Sequence, residues 1–185
     1  QKKKGRTTGW IGYTLSWNWR QFNDINGGER FPFRYDRRHD VSLVVSHDLT
    51  KRLSASAAWV YGTGNAVTLE IFNSYQAGYY YKPDGKRENF FYFNEVGTNG
   101  KKNAFRMSDY HRLDLSLEYK TIRAKWESAW VLAVYNAYWH RNPYYIISEE
   151  KYTYDDFGNI IDRKTVFKEI SVLPIIPSIS YKFKF

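Results

Sequence analysis

The stretch Pro177-Ser178-Ile179-Ser180-Tyr181-Lys182-Phe183-Lys184-Phe185 alternates strictly, with Pro177, Ile179, Tyr181, Phe183 and Phe185 on one face and Ser178, Ser180, Lys182 and Lys184 on the other. Successive side chains of a β-strand point to opposite faces, so this segment presents one wholly apolar side and one hydroxylic and cationic side. A strand of that kind with an aromatic end is the pattern of the closing strand of an outer-membrane β-barrel, where lipid meets one side and the lumen the other. Ile179, Tyr181, Phe183 and Phe185 are therefore the candidate barrel-assembly strand. Alternation also describes a half-buried strand of a soluble sandwich, so recurrence and charge placement must discriminate.

The pattern recurs five more times. Ile11, Tyr13, Leu15, Trp17 and Trp19 share a face opposite Gly12, Thr14, Ser16, Asn18 and Arg20. Val41, Leu43 and Val45 oppose Asp40, Ser42, Ser46 and Asp48, and Leu53, Ala55, Ala57, Trp59 and Tyr61 oppose Ser54, Ser56, Ala58 and Gly62. Leu113, Leu115, Leu117 and Tyr119 alternate with Arg112, Asp114, Ser116, Glu118 and Lys120; Trp126, Trp130, Leu132 and Val134 alternate with Glu127, Ala129, Ala133 and Tyr135. None of these apolar rows carries a charge. A lipid-facing Lys or Arg near the bilayer midplane costs roughly 2–4 kcal/mol, whereas a soluble sheet tolerates charge wherever it meets water. A sandwich would need a partner sheet packed over the apolar rows. Trp10, Trp17, Trp19, Trp59, Tyr61, Tyr119 and Trp126 fall near segment ends, where amphipathic rings suit the headgroup zones of a membrane.

Connection lengths give an independent test, because such barrels alternate short periplasmic turns with long outer loops. Leu49-Thr50-Lys51-Arg52 and Thr121 to Lys125 read as tight turns; Phe22 to Tyr35, Thr63 to Ser108 and Ala137 to Glu169 read as long loops. The short turns lie on the side of the C-terminus, which is thereby expected in the periplasm. Pro83-Asp84-Gly85 and Asp155-Asp156-Phe157-Gly158-Asn159 are turn chemistry inside the two longest loops, so those loops are expected to hold hairpins of their own.

Composition agrees with a barrel: aromatics make up 19% of residues while the mean hydropathy is −0.65, a value that would suggest a soluble chain. Alternating strands average to such modest values, and no run approaches the roughly 18 apolar residues of a spanning helix. There is no cysteine, so redox compartment is unconstrained. The net charge of +9 and the many rings raise nucleic-acid binding, but the basic residues are dispersed over the loops and Gln1-Lys2-Lys3-Lys4 instead of forming one stripe. Solvated or headgroup-facing charge is the better reading, and no nucleic-acid partner is expected.

Six strands cannot close a barrel, since the smallest single-chain examples use about 8 and an open edge in lipid would leave backbone groups unpaired. The chain is expected to be the C-terminal part of a larger barrel; several chains donating strands to one barrel is the alternative. Five blocks bear on the family. Gly9-Trp10-Ile11-Gly12-Tyr13-Thr14-Leu15-Ser16-Trp17, Phe31-Pro32-Phe33-Arg34-Tyr35-Asp36-Arg37-Arg38-His39-Asp40 and the run from Trp59 to Leu69 are three of them. Tyr110-His111-Arg112-Leu113-Asp114-Leu115-Ser116 and the run from Leu173 to Phe185 are the others. Together they resemble the C-terminal barrel region of TonB-dependent outer-membrane receptors of the Bacteroidota type, including those with a carboxypeptidase-regulatory-like domain.

The resemblance implies an all-β fold in which residues 1–185 supply six antiparallel strands of a 22-stranded transmembrane barrel with long extracellular hairpin loops. It implies energised uptake of a scarce nutrient, a metal chelate or an oligomer, with outer-membrane lipid, the remaining strands and a plug domain as partners. TonB would be engaged through the plug region upstream of Gln1, and a surface lipoprotein accompanies some related receptors. A passive porin-type channel and a structural barrel subunit of a larger outer-membrane complex are the alternatives.

Within the strands, Asp40, Asp48, Arg112, Asp114, Glu118, Lys120 and Glu127 are candidates for lumen or plug contact, against the plain alternative that any wet barrel interior is charged. The run Asp36-Arg37-Arg38-His39-Asp40 offers guanidinium groups for an anionic ligand or lipopolysaccharide phosphates, or an interstrand ion-pair ladder. The outer loops are rich in rings, with Tyr79, Tyr80, Tyr81, Phe91, Tyr144 and Tyr145 as ligand candidates; Phe72, Tyr75, Phe90, Tyr92, Phe93, Tyr152 and Tyr154 accompany them. These rings suit stacking on sugars or planar chelates, or equally a small core between loop hairpins. There is no G-x-S-x-G, H-E-x-x-H or Walker-type motif, and His39, His47, His111 and His140 fall on separate strand ends. No catalytic residue, cofactor or metal is expected.

Overall fold

The computed structural model describes residues 1–69, 74–94 and 101–185; for 74–81, 88–94 and 163 the description is of the backbone alone. The chain is all-β. In order come β1 (Thr7–Leu15), β2 (Trp19–Arg20), β3 (Phe31–Pro32), β4 (His39–Asp48), β5 (Leu53–Gly62), β6 (Ala66–Val67) and β7 (Ser74–Tyr81). They are followed by β8 (Arg87–Asn94), β9 (Phe105–Arg106), β10 (Tyr110–Ile122), β11 (Glu127–Tyr135), β12 (Tyr145–Tyr154), β13 (Ile160–Ile170) and β14 (Ile176–Lys184). Among the described residues no helix is long and apolar enough to cross a membrane.

One six-stranded sheet in the order β1-β4-β5-β10-β11-β14 carries the architecture. Every pairing in it is antiparallel, so the sheet is a meander whose long connections all leave from one end. The remaining strands form two-stranded pairs inside those connections: β2 with β3, β6 with β9, β7 with β8 and β12 with β13.

The register aligns the apolar rows across the strands. Ile11, Leu43, Trp59 and Leu113 are successive neighbours in one row, and Leu117, Leu132 and Ile179 in another. Near the short-turn end Leu53, Tyr119, Trp130 and Tyr181 line up, with Trp130 and Tyr181 rings 4.7 Å apart. Near the loop end Tyr13, Val41, Tyr61 and His111 do so. The apolar face thus has an aromatic band at each end. It is open: Ile11 is 68% exposed, Leu132 52% and Ile179 65%. Each long strand contacts its sheet neighbours, and among the described residues no second sheet packs across the face, which is what a sandwich would require.

The opposite face carries Asp40, Asp48, Arg112, Asp114, Glu118, Lys120 and Glu127, together with Val44, Val60 and Val131, so it is mixed where the alternation suggested a purely polar row. Across its middle, Thr8, Ser46, Ser56, Ser116, Ala133 and Ser178 form a row of small side chains.

Several expectations need correction. The first segment does not run to Trp19: β1 ends at Leu15, where Ser16 turns its backbone N–H to Arg38 O and its hydroxyl to Arg37 O, and Trp19 belongs to the separate β2 pair. Trp10 is not part of an aromatic band on the apolar face, because its register partner Val44 puts it on the mixed face, with its ring over Gly12. The second short turn is Arg123 to Trp126, closed by Arg123 N–H donating to Trp126 O, since β10 continues through Thr121 and Ile122. The apolar face also carries histidines, at both its ends: His39 and His111 toward the loops, and toward the short turns His47, whose Nδ1 is 2.7 Å from the Thr7 hydroxyl.

The turn at 49–52 and both loop hairpins form where the turn residues stand. Gly85 and Gly158 adopt φ of +77° and +83°, a region closed to most side chains, and Asp155 Oδ1 accepts the N–H groups of Phe157 and Asn159.

Candidate functional site

The long connections converge at one end of the sheet, and buried polar contacts tie two of them together. Asp36 is 1% exposed. Its Oδ1 accepts the Asn18 N–H at 2.6 Å, and its Oδ2 accepts Arg106 Nη2 at 2.7 Å. Arg106 Nη1 donates to Asp36 O at 2.5 Å and to Gly64 O at 2.8 Å, so one guanidinium clamps the β3–β4 connection to the segments flanking β6 and β9. Gly64 has no room for a side chain: a Cβ there would lie 1.8 Å from Met107 O. Around this joint Phe31, Ala66 and Met107 are buried, making a small core at the loop end.

Asn103 extends the joint, donating from Nδ2 to Pro32 O at 2.9 Å and from its backbone N–H to Thr68 Oγ1 at 3.0 Å. Asp109 accepts the Tyr61 hydroxyl at 2.5 Å and the Gly64 N–H at 3.0 Å. The Tyr61 hydrogen bond, aided by that of Gly64, holds the Asp109 carboxyl below its usual range against the opposing effect of partial burial. The β12–β13 hairpin joins through Glu169, whose Oε1 accepts the Ser108 N–H at 2.8 Å.

Between these connections lies a cavity of about 690 Å³. Its walls include the rings of Phe22, Phe33, Tyr144 and Tyr145 and the cations Arg20, Arg34 and Lys102; among the described residues no carboxylate lines it. Arg20 lies over the Phe33 ring at 4.6 Å from its centroid. That volume is within the range of small-molecule sites, roughly 300–1,000 Å³.

The candidate residues divide. Tyr144 and Tyr145 line the cavity. Tyr79, Tyr80, Tyr81 and Phe91 sit at backbone positions in β7 and β8, and their side chains, like the whole of Phe72, lie outside the described residues. The mixed-face charges are engaged mostly with one another. Arg112 bonds Asp114 at 2.9 Å and lies over Tyr135, Glu118 meets Lys120 and Lys182 at 3.3 Å each, and Arg37 is 3.7 Å from Asp40. Asp48 accepts the Ser54 hydroxyl at 2.7 Å, and Asp114 also accepts the Asn136 N–H. Within the run Asp36 to Asp40, Asp36 pairs with Arg106, Arg37 lies near Asp40 of the same run, and Arg38 lies over Trp17.

Of the four histidines on separate strand ends, some of which neighbouring strands could bring together, His111 and His140 meet. Their rings stack at 3.5 Å, and Tyr138 bonds His111 Nδ1 at 2.8 Å. The buried Asn136, at φ +54°, folds the chain back by exchanging hydrogen bonds with the backbone of His140. No group of three or more His, Cys, Asp or Glu that could hold a metal occurs among the described residues. Arg38 Nε, Asn65 Oδ1 and His140 Nε2 are buried without a hydrogen-bond partner, and all three lie at the loop end.

Arg20, Arg34, Lys102, Phe22 and Phe33 were not singled out by sequence. The only local signal was the alternation of Arg20 with Phe22 and of Phe31 with Phe33 across a short pair, and it carries no information about the Lys102 segment that completes the wall. No family model, no curated protein and no solved structure matches the chain.

Proposed function

We propose that this chain is a C-terminal portion of an outer-membrane β-barrel receptor of the TonB-dependent type, taking up a scarce nutrient such as a metal chelate or an oligomer. The six-stranded sheet would be barrel wall, its apolar face against lipid and its mixed face toward the lumen and a plug domain. The observation that carries this reading is an open apolar face, free of Lys, Arg, Asp and Glu on all six strands and bounded by an aromatic band at each end. In water such a face would be an unusually large exposed apolar patch.

Strand length fits. At about 3.4 Å per residue and a tilt near 40°, strands of this size rise roughly 23–34 Å, enough for an apolar band about 25 Å tall. The outer edge of β14 pairs with no strand among the described residues, and that of β1 meets only Lys2, at Gly9. Unpaired edges are untenable in hydrocarbon, which favours further strands completing the cylinder. The C-terminal end of β14 and both short turns would face the periplasm, and the cavity end the exterior. The chain is read as non-enzymatic.

Fractionation tests the proposal. The protein should stay with outer membranes through alkaline carbonate washing, migrate as part of a heat-modifiable barrel, and copurify with a plug-bearing polypeptide or segment. Deleting that plug should abolish energy-dependent uptake and leave an ion-conducting pore in planar bilayers. Recovery as a water-soluble monomer would overturn the assignment, and conductance with the plug in place would favour a passive channel.

A further inference from the structure

We propose that the cavity at the loop end binds a small anion with a planar apolar body. Arg20, Arg34 and Lys102 all line the cavity, and none of the three is ion-paired among the described residues. This contrasts with neighbouring cations: Arg106 is held by Asp36, Lys101 by Glu29 and Arg37 by Asp40. Cations facing a concave wall without counter-charge raise the local concentration of anions and keep their full donor capacity for a ligand.

The donor and acceptor balance separates an anion from a neutral sugar. Arg and Lys carry donors only, so this wall asks its occupant for acceptors. A polyol would also need acceptors from the protein, and the side-chain amides and hydroxyl here offer few: Thr68 Oγ1 accepts the Asn103 N–H and Asn103 Oδ1 accepts the Thr68 hydroxyl at 3.4 Å, which leaves Asn65 Oδ1 as the amide acceptor without a partner against three cationic donor groups. Carboxylate, sulfonate or phosphate oxygens match guanidinium forks bidentately. The Phe33 ring beneath Arg20 holds its guanidinium carbon 4.6 Å from the ring centroid and takes up none of its N–H donors. Phe22, Tyr144 and Tyr145 supply flat apolar surface for the body of the same molecule.

The inference deepens the receptor reading by assigning a charge class to what the loop end holds, and it rests on that reading only for the ligand's later passage inward. The test uses the native assembly containing this chain, extracted in dodecyl maltoside, with naphthalenedisulfonate as probe and the matching naphthalenediol as its neutral counterpart, followed by equilibrium dialysis. The disulfonate should bind at least about tenfold more tightly than the diol, and Arg34→Gln combined with Lys102→Gln should cost about tenfold or more, the scale of one lost charge-assisted contact. Arg34→Lys should retain most of the affinity. Equal affinity for the two probes, or an unchanged double variant, would overturn the proposal.

Should the double variant fail to fold, the wild-type protein still decides: disulfonate affinity should fall steadily as salt is raised, and salt-independent binding would overturn the proposal. Disulfonate binding by a chain that fractionates as soluble would refute the receptor reading alone. A membrane-embedded chain that fails to prefer the disulfonate would refute this inference alone.

Discussion

Replacing Leu132 by Arg puts the membrane reading at risk most directly. Leu132 lies in β11, flanked in register by Leu117 on one side and Ile179 on the other, and it is 52% exposed. Five residues separate it from Glu127 at the start of the strand, about 17 Å along the chain and roughly 13 Å of depth at a 40° tilt, near the middle of a 25 Å band. An Arg at that depth costs about 2–4 kcal/mol in lipid, a factor of roughly 30 to 900 in the folded-to-unfolded ratio. In water a half-exposed Leu→Arg change is worth within about 0.5 kcal/mol. Ser180→Arg is the control, because it introduces the same side chain one strand away on the opposite face, where Ser180 pairs with Val131. The assay is reversible denaturant unfolding of the native assembly in phosphatidylcholine vesicles, followed by tryptophan fluorescence. Leu132→Arg should be the more destabilising by at least about 2 kcal/mol. Equal effects of the two substitutions would refute lipid contact at this row.

Removing Arg106 from the Asp36–Arg106 pair should be costly, because it leaves the nearly inaccessible Asp36 carboxylate without its counter-charge: about 3–5 kcal/mol for Arg106→Met, read as faster limited proteolysis within 16–38 and 63–109 while the sheet stays protected. Gly64→Ala should open the same joint, since its Cβ meets backbone oxygen; Ser108→Ala is the neutral control, and proteolysis at the loop end is again the readout. The depressed Asp109 carboxyl contributes stability that is present above its ordinary value of 3.8 and is lost as pH falls below that, through the folded-state value. Hydrogen exchange at Gly64 and Tyr61 should therefore accelerate in that acid range, and Asp109→Asn should flatten the dependence. Truncating Tyr181 to Ala should remove the ring contact with Trp130 and about 0.5–1.5 kcal/mol beyond its lost area, measured by a double-mutant cycle.

Legibility in the sequence followed the range of the forces involved. The strands at 40–48, 53–62 and 177–185 were readable because alternation is local and a register slip would turn a whole row to the wrong face. Trp10 was misassigned because proximity to a segment end indicates depth and says nothing of facing; its odd-even position does, and its partner Val44 settles it. The alternation runs past the end of β1 because Trp17 and Trp19 keep its period, whereas the pairing with β4 stops after Ser16, whose N–H still meets Arg38 O in register and whose hydroxyl bonds Arg37 O. Tyr144 and Tyr145 could be nominated by ring chemistry, but Arg20, Arg34 and Lys102 could not, since their meeting depends on three connections being folded over one another.

The sequence by itself determined the central residues of the six long strands, the face of each that is free of Lys, Arg, Asp and Glu, and the turn at 49–52, because these follow from a two-residue period and from turn chemistry spanning a few residues. Only the tertiary structure decided that the apolar rows stay uncovered by the described residues, that Arg106 closes on Asp36, that His111 meets His140, and that three cations without an ion pair among the described residues share a cavity with aromatic rings. Those facts arise from contacts between residues tens of positions apart, whose geometry no local periodicity encodes.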